Sequence, residues 1–551
     1  MNIGRLMTQF WLVALLAGCV RSEPLVVPMD VGREIPEPAV PTLTDATQAL
    51  GLDGQVAAYV NWLDVDNDGR PDLLMDGAHL FLNQGPPSYT LAPAPPEMWL
   101  GASRGPALCV DVNNDGWADI VSTQGQLWLN QAGKGFQNVA AAWSFTPHKK
   151  GDVLGAGDFD GDGWVDLYLG MKEDWNDGHP TYYEAQLWHN EEGAGFREIG
   201  EKAGISRKTY ARSVLVFDLD GDGDQDIFVG NYRLQANLLW QNDGKGGFKE
   251  VAAAWGVAGR RDPTLHLDTV TNRRYGPQYG HTIAACLLDF DNDGASDLFC
   301  ANLVHKYIGP IQGGYDIRGY VCDDSAIWHR EGDGFVDWRV RLGVPSLPSG
   351  PRNVFQGDEL WAGCVAGDVN NDGWTDVFVP QIYNLPYARC RLFLNAGGRR
   401  LLDRAAAARL STIDSYAGAW ADIDGNGRLD LAAAGRAGVD QPNQLRLYRN
   451  DGGDGMLNHL WLKVMLLPGE GKRTPLGSIV TVTQGDRKWV QPLTCGTSTY
   501  GQQNDPALHF GLGRDDHDLT VEVRWPNGAT TTQTASPATT LTLRMPKPAT
   551  P

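Results

Sequence analysis

Seven times along the chain a ten-residue acidic pattern returns with its apolar flanks intact, a periodicity that points to a repeat architecture. The copies are DVDNDGRPDL from Asp64, DVNNDGWADI from Asp111, DFDGDGWVDL from Asp158, DLDGDGDQDI from Asp218, DFDNDGASDL from Asp289, DVNNDGWTDV from Asp368 and DIDGNGRLDL from Asp422. Each has an oxygen-bearing side chain at positions 1, 3, 5 and 9, glycine at position 6 and apolar residues at positions 2 and 10. Carboxylates about 5 Å apart repel by roughly 3 kcal/mol per pair at an effective dielectric near 20. A bound cation removes that repulsion.

Alternate residues of a tight turn can aim at one point, and glycine at position 6 permits the positive φ the reversal needs. Oxygen donors in this number suit calcium, with the position 7 carbonyl as a further ligand; magnesium demands stricter octahedral geometry. The expected ligands, for up to seven calcium ions, are Asp64, Asp66, Asp68 and Asp72; Asp111, Asn113, Asp115 and Asp119; Asp158, Asp160, Asp162 and Asp166; Asp218, Asp220, Asp222 and Asp226; Asp289, Asp291, Asp293 and Asp297; Asp368, Asn370, Asp372 and Asp376; and Asp422, Asp424, Asn426 and Asp430. The loops with Asn113, Asn370 and Asn426 carry less charge and are expected to bind more weakly. An EF-hand needs a bidentate glutamate at position 12. Here that position holds Met75, Ser122, Leu169, Val229, Cys300, Val379 or Ala433, which excludes it.

The flanks LYLG, IFVG and VFVP read as short strands ending at glycine or proline. A second signature follows each loop, as in LFLNQG from Leu80, LWHNEEGAGF from Leu187 and IWHREGDGF from Ile327. It reads as a strand and a glycine-rich turn, and in most copies another strand resumes. Four strands per unit make a propeller blade. The sequence therefore predicts an all-β chain: a seven-bladed β-propeller over residues 42–457, then a small C-terminal β-domain over 458–543 and a tail, 544–551. The seventh unit lacks its last strand, and TLTDATQALGL, Thr42 to Leu52, is expected to supply it and close the ring. Strand alternation puts the acidic loops and glycine turns on one face. The long insertions, 171–184, 258–280, 302–324 and 341–360, fall on the other. Loops on a rigid scaffold commonly carry function, and arginine and aromatic residues suit recognition. Arg273, Arg274, Tyr275, Tyr279, His305, Tyr307, Tyr315 and Tyr320 form the candidate ligand face, unless these segments merely pack over the channel.

The first 18 residues read as a signal peptide: Arg5, then the apolar run FWLVALLAGC, too short to span a bilayer. LAGC, Leu16 to Cys19, resembles a bacterial lipobox, which makes Cys19 the expected lipidation site and residues 19–41 a proline-rich tether. The alternative is an ordinary signal peptide that happens to contain a cysteine. Membrane contact would run through the lipid alone. With 46 basic and 67 acidic residues the net charge is −21, which argues against a nucleic acid partner. Seven further cysteines leave at least one unpaired, and one or two disulfides among Cys286, Cys300, Cys322, Cys364 and Cys390 are possible.

The repeats resemble FG-GAP/VCBS repeats, the calcium-loop propeller repeats of the integrin α head. NHLWLKVML, LHFGLG and LTVEVRWPNGATTT, within Asn458 to Thr532, resemble the ASPIC/UnbV domain. Together they are similar to a bacterial member of the cartilage acidic protein family, over roughly Thr42 to Leu543. The Phe-Gly and Gly-Ala-Pro elements are poorly kept, and Leu476-Gly477-Ser478 stands where that family usually has Gly-Ile-Gly-Ala. The resemblance implies calcium binding and extracellular interaction, and brings no enzymatic activity with it.

The expected protein is a calcium-binding, non-enzymatic adhesion or interaction module, lipid-anchored in a bacterial cell envelope. Its partner would be an extracellular or envelope protein, or a glycan. The first alternative is a calcium-dependent lectin, for which Trp338 and Trp361, outside the repeat register, are the candidate sugar platforms. The second is a polysaccharide-active enzyme with a carboxylate pair in the channel, although no HExxH or P-loop motif occurs.

Overall fold

The strands that leave the acidic loops are short, apolar and buried along their whole length. Asp72–Met75, Asp166–Met171, Asp226–Asn231, Asp297–Asn302 and Asp430–Gly435 show this clearly. A strand covered on both faces reads as a continuous apolar run rather than an alternation, and here neighbouring sheets supply both covers. The computed structural model describes residues 35–547, apart from 102–104, 177–178, 261–265, 269–272, 276–278, 305–306, 309–322, 346–349, 352–358, 386–388, 417, 470–472 and 498. Cys19 and the tether before residue 35 lie outside the described residues.

Among the described residues, seven four-stranded antiparallel sheets follow one another along the chain. They occupy residues 60–93, 107–138, 151–198, 211–250, 282–337, 365–403 and 419–450, here blades 1 to 7. The first strand of each blade neighbours the first strand of the next, and Val60–Leu63 of blade 1 meets Ala419–Ala421 of blade 7. Blade 7 borrows its fourth strand from the start of the chain. Leu43, Thr44 and Asp45 pair with Asn450, Arg449 and Tyr448, the closure expected from TLTDATQALGL.

One side chain per blade locks this ring. The asparagine that ends the third strand donates from Nδ2 to the position 2 carbonyl of the preceding blade's acidic loop. Asn130 reaches Val65, Asn190 reaches Val112, Asn242 reaches Phe159, Asn395 reaches Phe290 and Asn450 reaches Val369, at 2.7 to 2.9 Å. In blade 5 an arginine takes the role, with Arg330 Nη1 donating to the Leu219 carbonyl at 2.7 Å.

The C-terminal region forms a three-stranded sheet, Leu508–Gly513, Leu460–Leu467 and Thr539–Arg544, beside a four-stranded one. These sheets do not stand apart from the ring. One apolar core runs from Leu108 and Leu167 of blades 2 and 3 to Leu462, Val480 and Val521. Thr497 and residues 499–505 leave the sheets as a finger that fills the channel. Asn61 Nδ2 donates to the Gly501 carbonyl at 2.9 Å, and Trp62 N to the Gln503 carbonyl at 3.0 Å. Gln503 pairs with both the amide and the carbonyl of Cys109. Thr499 Oγ1 bridges the carbonyls of Arg212 and Ile283, and Asn504 joins Ala366 to Trp420. Gly501 lies against Leu154 of blade 3, so the inner strands of all seven blades touch the finger. A domain expected merely to follow the ring thus also plugs it.

Two expectations fail. Trp338 and Trp361 are 8% and 3% exposed, in the apolar core between blades 5 and 6, so neither is a sugar platform. The six described cysteines, Cys109, Cys286, Cys300, Cys364, Cys390 and Cys495, are buried, and no disulfide joins any two of them. Cys322 lies outside the described residues. Among the described residues, no helix is long and apolar enough to cross a membrane.

Candidate metal centres

The seven acidic loops share one internal geometry. The position 1 carboxylate accepts the position 6 glycine amide, from Gly69 on Asp64 through Gly427 on Asp422, at 2.7 to 3.1 Å. The position 5 side chain accepts the position 7 amide in every loop. The position 9 aspartate accepts two backbone amides. One comes from position 2 of its own loop, as Val65 on Asp72 and Leu219 on Asp226, and the other from the residue that ends the third strand, as Asn83 on Asp72 and Arg330 on Asp297. Position 9 therefore welds the acidic loop to the glycine turn before it can hold any ion.

Sequence reasoning missed position 4. It lies at positive φ in all seven loops, as Asn67, Asn114, Asn292 and Asn371 or as Gly161, Gly221 and Gly425. Asparagine and glycine are the residues that best tolerate this region, so their exclusive use there was the available signal. The asparagines also couple loops. Asn67 donates to the Gly116 carbonyl, Asn114 to Gly163, Asn292 to Gly373 and Asn371 to Gly427, at 2.8 to 3.0 Å.

Electrostatically the loops are crowded with carboxylates. Burial first, and the neighbouring carboxylates with it, push Asp158 and Asp289 up to about 7. Burial, partly offset by backbone hydrogen bonds, takes Asp72 to about 7 and Asp226 to about 8. Four carboxylate oxygens, Asp66 Oδ1, Asp158 Oδ1, Asp291 Oδ1 and Asp422 Oδ1, are shut off from solvent and accept no hydrogen bond. Orphaned hard oxygens inside a turn of aspartates fit calcium chemistry.

Basic side chains of the C-terminal domain lie over this face. Lys463 Nζ stands 2.9 Å from Asp422 Oδ2, and Arg524 Nη2 stands 2.9 Å from Asp218 Oδ2. Arg487 donates to the Asp372 carbonyl, Trp489 Nε1 to the Gly373 carbonyl, and Arg473 to the Gly161 carbonyl. His509 Nε2 bonds Asn371 Oδ1 at 2.7 Å; burial holds its ring down to about 3, as a neutral structural group.

The candidate ligand face lies at the other end of the strands. Arg273, Arg274 and Tyr275 form a strand paired with His266–Asp268, and Tyr307 lies on a short strand beside Gly350–Pro351. Tyr279 is half-buried. His305, Tyr315 and Tyr320 fall outside the described residues.

Family comparison matches the FG-GAP-like repeat at residues 111–169, 218–300 and 368–433, stretches that span the acidic loops of blades 2 to 7. It matches the ASPIC and UnbV description at residues 469–549, the stretch that carries the finger. The chain carries FG-GAP-like repeats and an ASPIC and UnbV domain. It is homologous to cartilage acidic protein 1, being 29% identical to that of Mus musculus over 60% of this chain and 44% of the relative. The Homo sapiens protein is 27% identical over 60% of this chain and 43% of its own. The Drosophila melanogaster protein integrin alpha-PS2 is 25% identical over 36% of this chain and 12% of its own. This chain therefore covers less than half the length of the cartilage acidic proteins it matches.

Proposed function

We propose that this chain is a calcium-stabilised extracellular interaction module that binds a protein through the insertion face. In this reading it is anchored to a bacterial cell envelope by lipid on Cys19. The observation that carries the reading is the finger. It fills the channel, and its parent domain lies over the metal-loop face, so ligand recognition falls to the remaining face of the ring. The loops then act as internal braces whose occupancy keeps that face rigid. The homology to cartilage acidic protein 1 supports an extracellular setting.

The alternatives have less support. A lectin loses its two candidate platforms because Trp338 and Trp361 are core residues. A polysaccharide-active enzyme with its carboxylates in the channel would have to admit substrate where the finger already sits. The deciding experiment is binding of the calcium-loaded chain to a glycan array and, in parallel, to extract of its own envelope, with the Arg273→Ala, Arg274→Ala, Tyr275→Ala triple variant alongside. Loss of a protein partner in the variant supports this reading. Glycan retention by both proteins would overturn it.

A further inference from the structure

Two of the seven acidic loops face an imidazole. The residue before the locking asparagine or arginine holds the same place on the third strand of every blade. It is Leu82, Leu129 and Leu394 in blades 1, 2 and 6, Gln241 in blade 4 and Arg449 in blade 7. In blades 3 and 5 it is histidine. His189 Nδ1 lies 3.2 Å from Asp166 Oδ1 and 3.4 Å from Asp160 Oδ2. His329 Nδ1 lies 3.0 Å from Asp297 Oδ1, and its Nε2 lies 3.9 Å from Asp291 Oδ2.

The three Nδ1–carboxylate separations, 3.0 to 3.4 Å, match the edges of a small coordination shell. Two donors about 2.1 Å from one ion stand about 3.0 Å apart at a right angle and about 3.4 Å apart at the tetrahedral angle. Ligand atoms of Asp160, Asp162 and His189 lie within 4.8 Å of one another, as do those of Asp291, Asp297 and His329. The same two loops each hold a carboxylate oxygen, Asp158 Oδ1 and Asp291 Oδ1, that is sealed from water and accepts no hydrogen bond. The His329 imidazole is held in place by aromatic packing. His329 packs on Trp338 with ring centroids 3.7 Å apart and on Phe290 at 5.4 Å.

Calcium selects oxygen donors, whereas imidazole with carboxylates suits zinc and its first-row neighbours. We propose that the loops of blades 3 and 5 take a borderline divalent cation such as zinc. His189 with Asp160 and Asp162 holds one ion, and His329 with Asp291 and Asp297 holds the other, while the oxygen-only loops keep calcium. This rests on reading the acidic loops as cation sites, and it divides them into two chemical classes.

The test uses the full chain, stripped with chelator and then held in saturating calcium. Cobalt(II) is titrated in and its visible d–d absorption followed, with zinc as competitor. The expected result is two equivalents of cobalt with a nitrogen-ligated spectrum, displaced by zinc. His189→Leu should remove one equivalent, His329→Leu the other, and the double variant both. Leucine is what blades 1, 2 and 6 carry at this position, so the substitution is one the blade accepts, and calorimetry should find the remaining calcium sites unchanged. Cobalt uptake that survives in the double variant overturns the assignment. So does calcium binding at all seven loops with no cobalt signal, while leaving the loops as cation sites. If neither cobalt nor calcium binds, both the assignment and the reading beneath it fall.

Discussion

Asn83 of blade 1 donates from Nδ2 to the carbonyl of Ile423 in blade 7 at 2.9 Å, across the seam where the ring closes. Its backbone amide donates to Asp72 Oδ1 at 2.7 Å, and its Oδ1 accepts from the Gly85 amide. A single buried amide thus ties an acidic loop, a glycine turn and the neighbouring blade together. Asn83→Leu would leave the Ile423 carbonyl and the Gly85 amide without partners. At about 1–3 kcal/mol for each buried group so orphaned, the variant should lose roughly 2–6 kcal/mol, read by guanidinium unfolding. Blade 5 offers the converse test. Arg330→Asn should destabilise less than Arg330→Ala, because asparagine makes this bond in the other six blades.

Calcium should dominate the stability of the ring. A loop whose free calcium stands tenfold above its dissociation constant gains about 1.4 kcal/mol, and the five oxygen-only loops together gain about 7 kcal/mol, comparable to a whole domain's stability. EGTA should therefore lower Tm sharply in scanning calorimetry, and a transition that ignores EGTA would refute structural calcium. On graded chelation the loops with Asn113, Asn370 and Asn426 should empty first, each carrying one fewer charge.

The repeat made the blades legible because every unit obeys the same local rule: acidic turn, apolar run, glycine turn. The closure strand was legible for the same reason, since Leu43–Asp45 fills a place left vacant in unit seven. What stayed hidden was long-range. Asn83 and Ile423 are 340 residues apart, and nothing local announces their bond. The finger was equally silent: STYGQQND reads as an exposed polar loop, yet Thr499 and Gln502 are fully buried because backbone groups of the inner strands surround them. Trp338 and Trp361 depart from the repeat register without being exposed, since both pack in the core between blades 5 and 6.

Without metal, stability should fall as pH rises. Asp72, Asp158, Asp226 and Asp289 are held at about 7 to 8 in the folded chain, against the ordinary aspartate value of 3.8. The folded state then binds more protons than the unfolded state between these values, so ∂ΔG/∂pH of unfolding is negative there. Chelator-treated protein should have a higher Tm near pH 5 than near pH 8. Saturating calcium should flatten or reverse that slope, since the bound ion replaces the protons. A rising Tm from pH 5 to 8 in EGTA would contradict the charge crowding described above.

Docking of the C-terminal domain on the loops can be probed with two glycines of one turn. Gly425 and Gly427 both sit at positive φ, 69° and 80°. A Cβ on Gly425 meets nothing, whereas one on Gly427 would land within the indole of Trp461, on the C-terminal domain. Gly425→Ala thus carries the left-handed backbone penalty alone, about 1–2 kcal/mol. Gly427→Ala carries the same strain and must also push Trp461 out. That movement pulls on Leu460–Leu467, which holds Lys463 against Asp422. Limited proteolysis should therefore release the C-terminal region from the Gly427→Ala protein well before the Gly425→Ala protein. Equal digestion of the two variants would mean that the domain does not depend on this contact.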